Sequence, residues 1–165
     1  MNTTTFDAPT QHQLEAFLYH EAELLDAQQW AAWDALFTDD GVYWLPAAVN
    51  QPDAVNHISH IHENRLLRAV RIARFTNPEA YSLQPPPRSS HLVSNVMLRA
   101  WDASSGALTV SSRLLMLYYR RDQQTVFGGK VSHDLLWDGA MFKIRQKRVD
   151  LVNCDAMHES VQLYI

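Results

Sequence analysis

The chain is nearly without cysteine: Cys154 stands alone among 165 residues. One thiol excludes an internal disulfide framework, and any zinc or iron–sulfur centre needing two or more thiolates from this chain. Glycine is also scarce, at five residues, and none forms a phosphate-binding loop or flanks a nucleophilic serine. Cations are not in excess, because 14 Lys and Arg face 18 Asp and Glu, a net charge of −4. That balance lacks the electrostatic footprint of a nucleic-acid binder. Apolar runs last only a few residues, so no segment reads as a membrane-spanning helix. The start, Met1 to Asp7, has neither the basic head nor the apolar stretch of a secretory leader, and a cytoplasmic location is the default expectation. What is abundant is aromatic: five Trp, six Tyr and six Phe. The length suits a single domain, 1–165, able to bury its own core.

Residues 1–9 are polar, end at Pro9 and read as a flexible arm. Thr10 then stands three residues before Gln13, the spacing of a capping box. Leu14, Phe17, Leu18, Ala22, Leu24 and Leu25 follow at helical spacing, with Glu21 as a polar intruder. Asp26 repeats the capping signal with Gln29, ahead of a second short helix carrying Trp30, Trp33, Leu36 and Phe37. Thr38 to Gly41 reads as the stop of that helix. Val42 to Leu45 reads as a short strand, 47–56 as a polar loop and Arg65 to Arg74 as a helix. Pro85-Pro86-Pro87 marks irregular chain.

From His91 onward the sequence turns β-rich. Long strands are expected after His91, over Leu108 to Arg121, Thr125 to Trp137 and Met141 to Asn153, with turns at Ser104–Gly106, Asp122–Gln124 and Asp138-Gly139. Helices placed ahead of such strands predict an α+β fold around a long, curved, mainly antiparallel sheet. Along Leu114 to Tyr119 both faces of the strand are apolar, which a sheet with one wet side does not tolerate. Self-association through the sheet face is therefore expected, with Trp101, Tyr118 and Trp137 as the outward candidates.

Eight histidines raise the question of metal. His57, His60, His62 and Glu63 cluster in sequence, but their spacing matches no well-specified ligand motif, and packed or exposed histidines are the commoner reading. His12, His20 and His158 occupy helix-surface or tail positions. His91 opens a strand behind the proline-rich loop, and with Asp26 it forms the one candidate acid–base pair. Capping is the commoner role for Asp26, and as a cap its replacement by Asn should cost under ~1 kcal/mol.

Phe17 to Asp26, Trp30, Trp33 and Phe37 to Ala47 resemble the opening of the small (beta) subunit of aromatic-ring-hydroxylating dioxygenases. Ser90-His91-Leu92-Val93-Ser94-Asn95 is similar to that family's His-x-x-Ser-Asn strand. Phe127 to Val131 with His133, and Ile144 to Asp155, resemble its last two strands. Residues 57–76 depart from the acidic pattern many relatives carry there: Ile61-His62-Glu63-Asn64 and Leu67-Arg68-Ala69-Val70-Arg71 stand in its place. The resemblance, nearest to the benzoate dioxygenase branch, implies a cone-like fold of the nuclear-transport-factor-2 (NTF2) type and a non-catalytic, structural role. The chain would sit in a complex of three large and three small subunits, as a homotrimer through its sheet face. The large subunit would carry the Rieske [2Fe–2S] centre and the mononuclear non-heme iron, with no cofactor-binding, metal or catalytic residues in this chain. The competing resemblance is to stand-alone dehydratases and isomerases of the same fold, in which Asp26 and His91 would be catalytic. Leu25 replaces the tyrosine those dehydratases carry before the aspartate, and a further catalytic histidine has no match.

Overall fold

The computed structural model describes residues 5–158 and 162–165, apart from the side chain of Ser82. Helix α1 (Gln11–Asp26) starts at a full capping box, in which Thr10 Oγ1 accepts from the Gln13 amide and the Gln13 side chain accepts from the Thr10 amide at 2.8 Å. It buries Leu14, Leu18, Leu24 and Leu25, the apolar stripe expected from the spacing. Helix α2 (Trp30–Asp34) is a single turn that drives Trp30 and Trp33 into the core. It stops earlier than the sequence pattern predicts. Phe37 already belongs to strand β1 (Phe37–Pro46), so Thr38 to Gly41 is strand and not a helix stop. The β1 ladder with the last strand is interrupted between Phe37 and Val42, and Gly41 lies there with no space for a side chain, since a Cβ would fall 2.7 Å from the Ile144 carbonyl oxygen. The loop after β1 leads to strand β2 (Ser59–Glu63) and then to helix α3 (Arg65–Thr76), capped by the Asn64 side chain on the Leu67 amide.

Four long strands follow: β3 (Arg88–Asp102), β4 (Ala107–Arg120), β5 (Gln123–Trp137) and β6 (Phe142–Leu151). The sheet order is β2-β1-β6-β5-β4-β3, antiparallel throughout except where β1 runs parallel to β6. The β4–β5 turn lies one residue earlier than expected. Arg121 and Asp122 both adopt positive φ, 52° and 60°, the two-residue primed turn whose twist suits a tight hairpin. Asp138-Gly139 does form the last turn, with Gly139 at φ 95° and the Asp138 carboxylate accepting from the Ala140 and Met141 amides.

The helices cover one face of this sheet, giving the α+β, NTF2-like cone. Two terminal segments complete its core. Residues 1–4 of the expected loose arm lie outside the described residues. The rest is tied down: Phe6 N donates to the Ala103 carbonyl, and Trp137 Nε1 donates to the Asp7 carbonyl at 3.2 Å. At the other end Leu163, Tyr164 and Ile165 are buried, with the Tyr164 ring 4.3 Å from that of Trp33.

Alternation along β4 and β5 sorts side chains into inner and outer sets, and here the expected orientation of the aromatics is reversed. Tyr118 and Trp137 point inward and are buried, and Trp101 packs against the core. The outward set is aliphatic: Leu92, Leu115, Leu117 and Val126 are exposed. Position 118 pairs with Thr125 and position 117 with Val126, so a register error of one residue exchanges the two sets.

Candidate functional site

The inner face of the sheet, where α1 crosses it, holds the polar residues with chemical potential. Asp26 is the last residue of α1 and not the cap of α2, whose N-cap is Gln29 without any side-chain bond. The Asp26 carboxylate instead crosses to β3. It accepts from the His91 amide at 2.8 Å and from Ser89 Oγ at 3.0 Å, and its Oδ1 lies 2.5 Å from His91 Nδ1. Burial pushes the Asp26 pKa up, but the hydrogen bonds and charge of His91 outweigh it and hold the carboxyl below its usual range. The His91 side chain is 1% exposed, and its Nε2 has no hydrogen-bond partner among the described residues.

A second cluster lies beside it. Glu21 Oε1 accepts from Lys147 Nζ at 2.9 Å and from Trp33 Nε1 at 3.1 Å, while Oε2 lies 2.9 Å from His133 Nε2. All three ionisable side chains are at most 4% exposed. Burial would raise the Glu21 pKa, but the Lys147 ammonium first and His133 second pull it far below the carboxylate range. The carboxylate therefore stays charged, and its charge ties α1 to β5 and β6. A third network sits under α3: Tyr164 Oη donates to Glu63 Oε2 at 2.7 Å, Arg71 pairs with Glu63, and Tyr43 Oη donates to the Ile165 carbonyl at 3.1 Å.

The sequence brings Asp26 and His91 into view as candidates, and the fold does bring them together. Their surroundings have no room for a substrate. The cavity shared by His91, His133, Glu21, Leu25, Ser112 and Lys147 measures about 10 Å³, enough for roughly one water molecule. An organic substrate needs a pocket of ~300 Å³ or more. Leu25, which stands where the resemblance to the dehydratases would put a tyrosine, is buried in this wall.

The remaining histidines do not gather into one ligand set, although the His60 and His158 rings meet edge to face at 5.1 Å. His60 Nε2 lies 2.5 Å from the Cys154 carbonyl, His62 meets the edge of Trp44, and His57 pairs with Asp53 at 3.5 Å. Glu63 turns inward, away from both His60 and His62. His12 and His20 are exposed on α1, and His158 approaches the Asn153 carbonyl. Among the described residues no three of His, Cys, Asp and Glu group as metal ligands. The Glu21–His133–Lys147 network has a local signal in the sequence: an acid on the apolar face of α1, and two bases at inward positions among Val131, Leu135 and Val149.

Known proteins similar to this chain place it in one family. The family model described as the ring hydroxylating beta subunit matches residues 20–157. The chain is 28% identical over 141 residues to the small oxygenase component of the p-cumate 2,3-dioxygenase system of Pseudomonas putida, covering 84% of this chain and 77% of that one. It is 30% identical over 142 residues to the anthranilate 1,2-dioxygenase small subunit of Acinetobacter baylyi, covering 83% and 86%. The crystal structure of the beta subunit of benzoate 1,2-dioxygenase from Burkholderia mallei superposes with a TM-score of 0.77 at 27% identity, over 96% of this chain and all of that one.

Proposed function

The chain belongs to the ring hydroxylating beta subunit family, and we propose on that premise that it is a structural small subunit holding large catalytic subunits in register. The observation that carries the non-catalytic reading is the closed cone. The Asp26–His91 pair is correctly paired for acid–base work, yet faces a cavity of about 10 Å³. The large subunit would carry the chemistry of aromatic dihydroxylation, in aromatic-compound breakdown and on a benzoate-type acid; the likeness to the anthranilate and benzoate dioxygenase subunits supports this reading. A Rieske centre does not fit this chain, because it takes two cysteines and two histidines and Cys154 is the single thiol.

The assembly reading is three small and three large subunits, with the small subunits joined through the outer face of their sheets. Support comes from Leu92, Leu115, Leu117 and Val126, four exposed aliphatic side chains on three adjacent strands. Co-expression with a candidate large subunit tests both parts. The expected result is a co-purifying complex of three-plus-three mass whose turnover is unchanged by His91→Gln. A turnover loss of tenfold or more in an intact His91→Gln complex would return the chain to the catalytic reading.

A further inference from the structure

The outer face of the sheet is polarised in charge. In the middle of the strands Arg113 of β4 stands directly opposite Lys130 of β5, both exposed, and among the described residues neither forms a salt bridge with a carboxylate. The next residue across, Asp150 of β6, is already engaged by Arg148 in two bonds of 2.8 Å. This groove has a volume of about 480 Å³ and holds three cations to one carboxylate. Like charges directly opposite one another across a ladder are destabilising, so the monomer leaves this pair unrelieved.

Four residues further along β5 the sign reverses. Asp134, bonded to Thr109 at 2.8 Å, shares a second groove of about 460 Å³ with Asp40 and Asp102, against the single guanidinium of Arg145. At about 3.4 Å per residue the two groups lie roughly 13 Å apart along the strand. On the other side of the basic pair the apolar stripe begins, at Leu92 and Leu115.

We propose that a second copy of this chain docks here, with the Arg113–Lys130 groove of one copy seated against the Asp40–Asp134 groove of the next. The inference rests on the homotrimer reading above and adds to it the contact that orients the copies. Both halves of the complementary pair lie on one face of one chain, so a second copy supplies what each half lacks. Two different patches meeting head to tail make a heterologous contact, the kind that closes into a ring of three. The charges steer and align the approach, and the aliphatic stripe alongside is buried by it.

The test uses the full chain and its mass in solution by sedimentation at 0.15 M salt. Arg113→Glu with Lys130→Glu should weaken association by about tenfold or more, with unchanged near-ultraviolet circular dichroism because both residues are exposed. Asp40→Lys with Asp134→Lys should do the same. All four substitutions in one chain exchange the two grooves, and the wild-type mass should return. A folded chain that keeps its wild-type mass with either pair alone overturns the inference, as does a folded fourfold variant that stays monomeric. Wild-type protein that is itself monomeric removes the homotrimer reading along with it. A wild-type trimer that ignores the substitutions removes the charge contact alone.

Discussion

The two faces of one sheet meet opposite fates in this molecule. The inner face of β3 to β6 carries two histidines and a lysine, each paired with a carboxylate of α1, and it is sealed by that helix down to a cavity of about 10 Å³. The outer face carries leucines and the Arg113 and Lys130 cations on the same strands, one residue out of phase, and leaves them exposed. An enzyme of this architecture would need the reverse, an open inner face around its polar groups and a quiet outer one. The polar groups inside bond α1 to the sheet, and the exposed aliphatic side chains lie outside.

The strongest way to break this contrast is to remove the centre of the inner network. Glu21→Ala leaves Lys147 and His133 buried without their carboxylate, and removing one member of a buried pair costs about 3–5 kcal/mol. Urea unfolding of the purified chain should show it, and a change below ~1 kcal/mol would mean the network carries little of the fold. The acid limb sharpens the point. The folded Glu21 and Asp26 carboxyls lie below their ordinary values of 4.5 and 3.8. Their contribution is therefore complete above those values and is lost as pH falls through them toward the lower folded values. Stability should fall steadily below about pH 4.5 in the wild type, and less steeply in Glu21→Gln.

Core truncation on the same face comes next. Leu114→Ala, at a position 5% exposed, should cost about 2–5 kcal/mol. Asp26→Asn follows. It keeps an oxygen to accept from the His91 amide but loses the charge facing the His91 ring, a loss of about 1.5–3 kcal/mol. An end-of-helix cap would lose under ~1 kcal/mol on the same change. Denaturant midpoints for the two variants separate these roles.

Asp26 also marks the limit of what the sequence could say. Its spacing to Gln29 imitates a cap, and only the path of β3 past the end of α1 turns it toward His91. Period and turn chemistry were enough for α1, α3, the long strands and the Asp138-Gly139 turn, because each depends on residues near in sequence. What escaped depends on partners far along the chain. Glu21 meets Lys147 across 126 positions, and Tyr43 meets Ile165 across 122. The outward aromatics were misplaced for a related reason. Leu114 to Tyr119 is apolar at every position, so alternation is silent and the face is decided by which side α1 covers.

The smallest stability change should come from the residue next to Leu114. Leu115 has the same side chain as Leu114 and the same strand, but is 52% exposed against 5%. A side chain half in water has already forgone much of its burial energy, and surface substitutions usually stay within about ±0.5 kcal/mol. Leu115→Ser should therefore leave the unfolding midpoint of the dilute monomer almost unmoved. Its effect should appear in concentration dependence instead. Wild-type stability rises with protein concentration if association covers this face, since whatever binds only the folded state adds to its stability. In Leu115→Ser that rise should shrink, while Leu114→Ala should lower the midpoint at every concentration. Equal effects from the two leucines, with no concentration term in either, would mean that the outer stripe is covered by the chain itself.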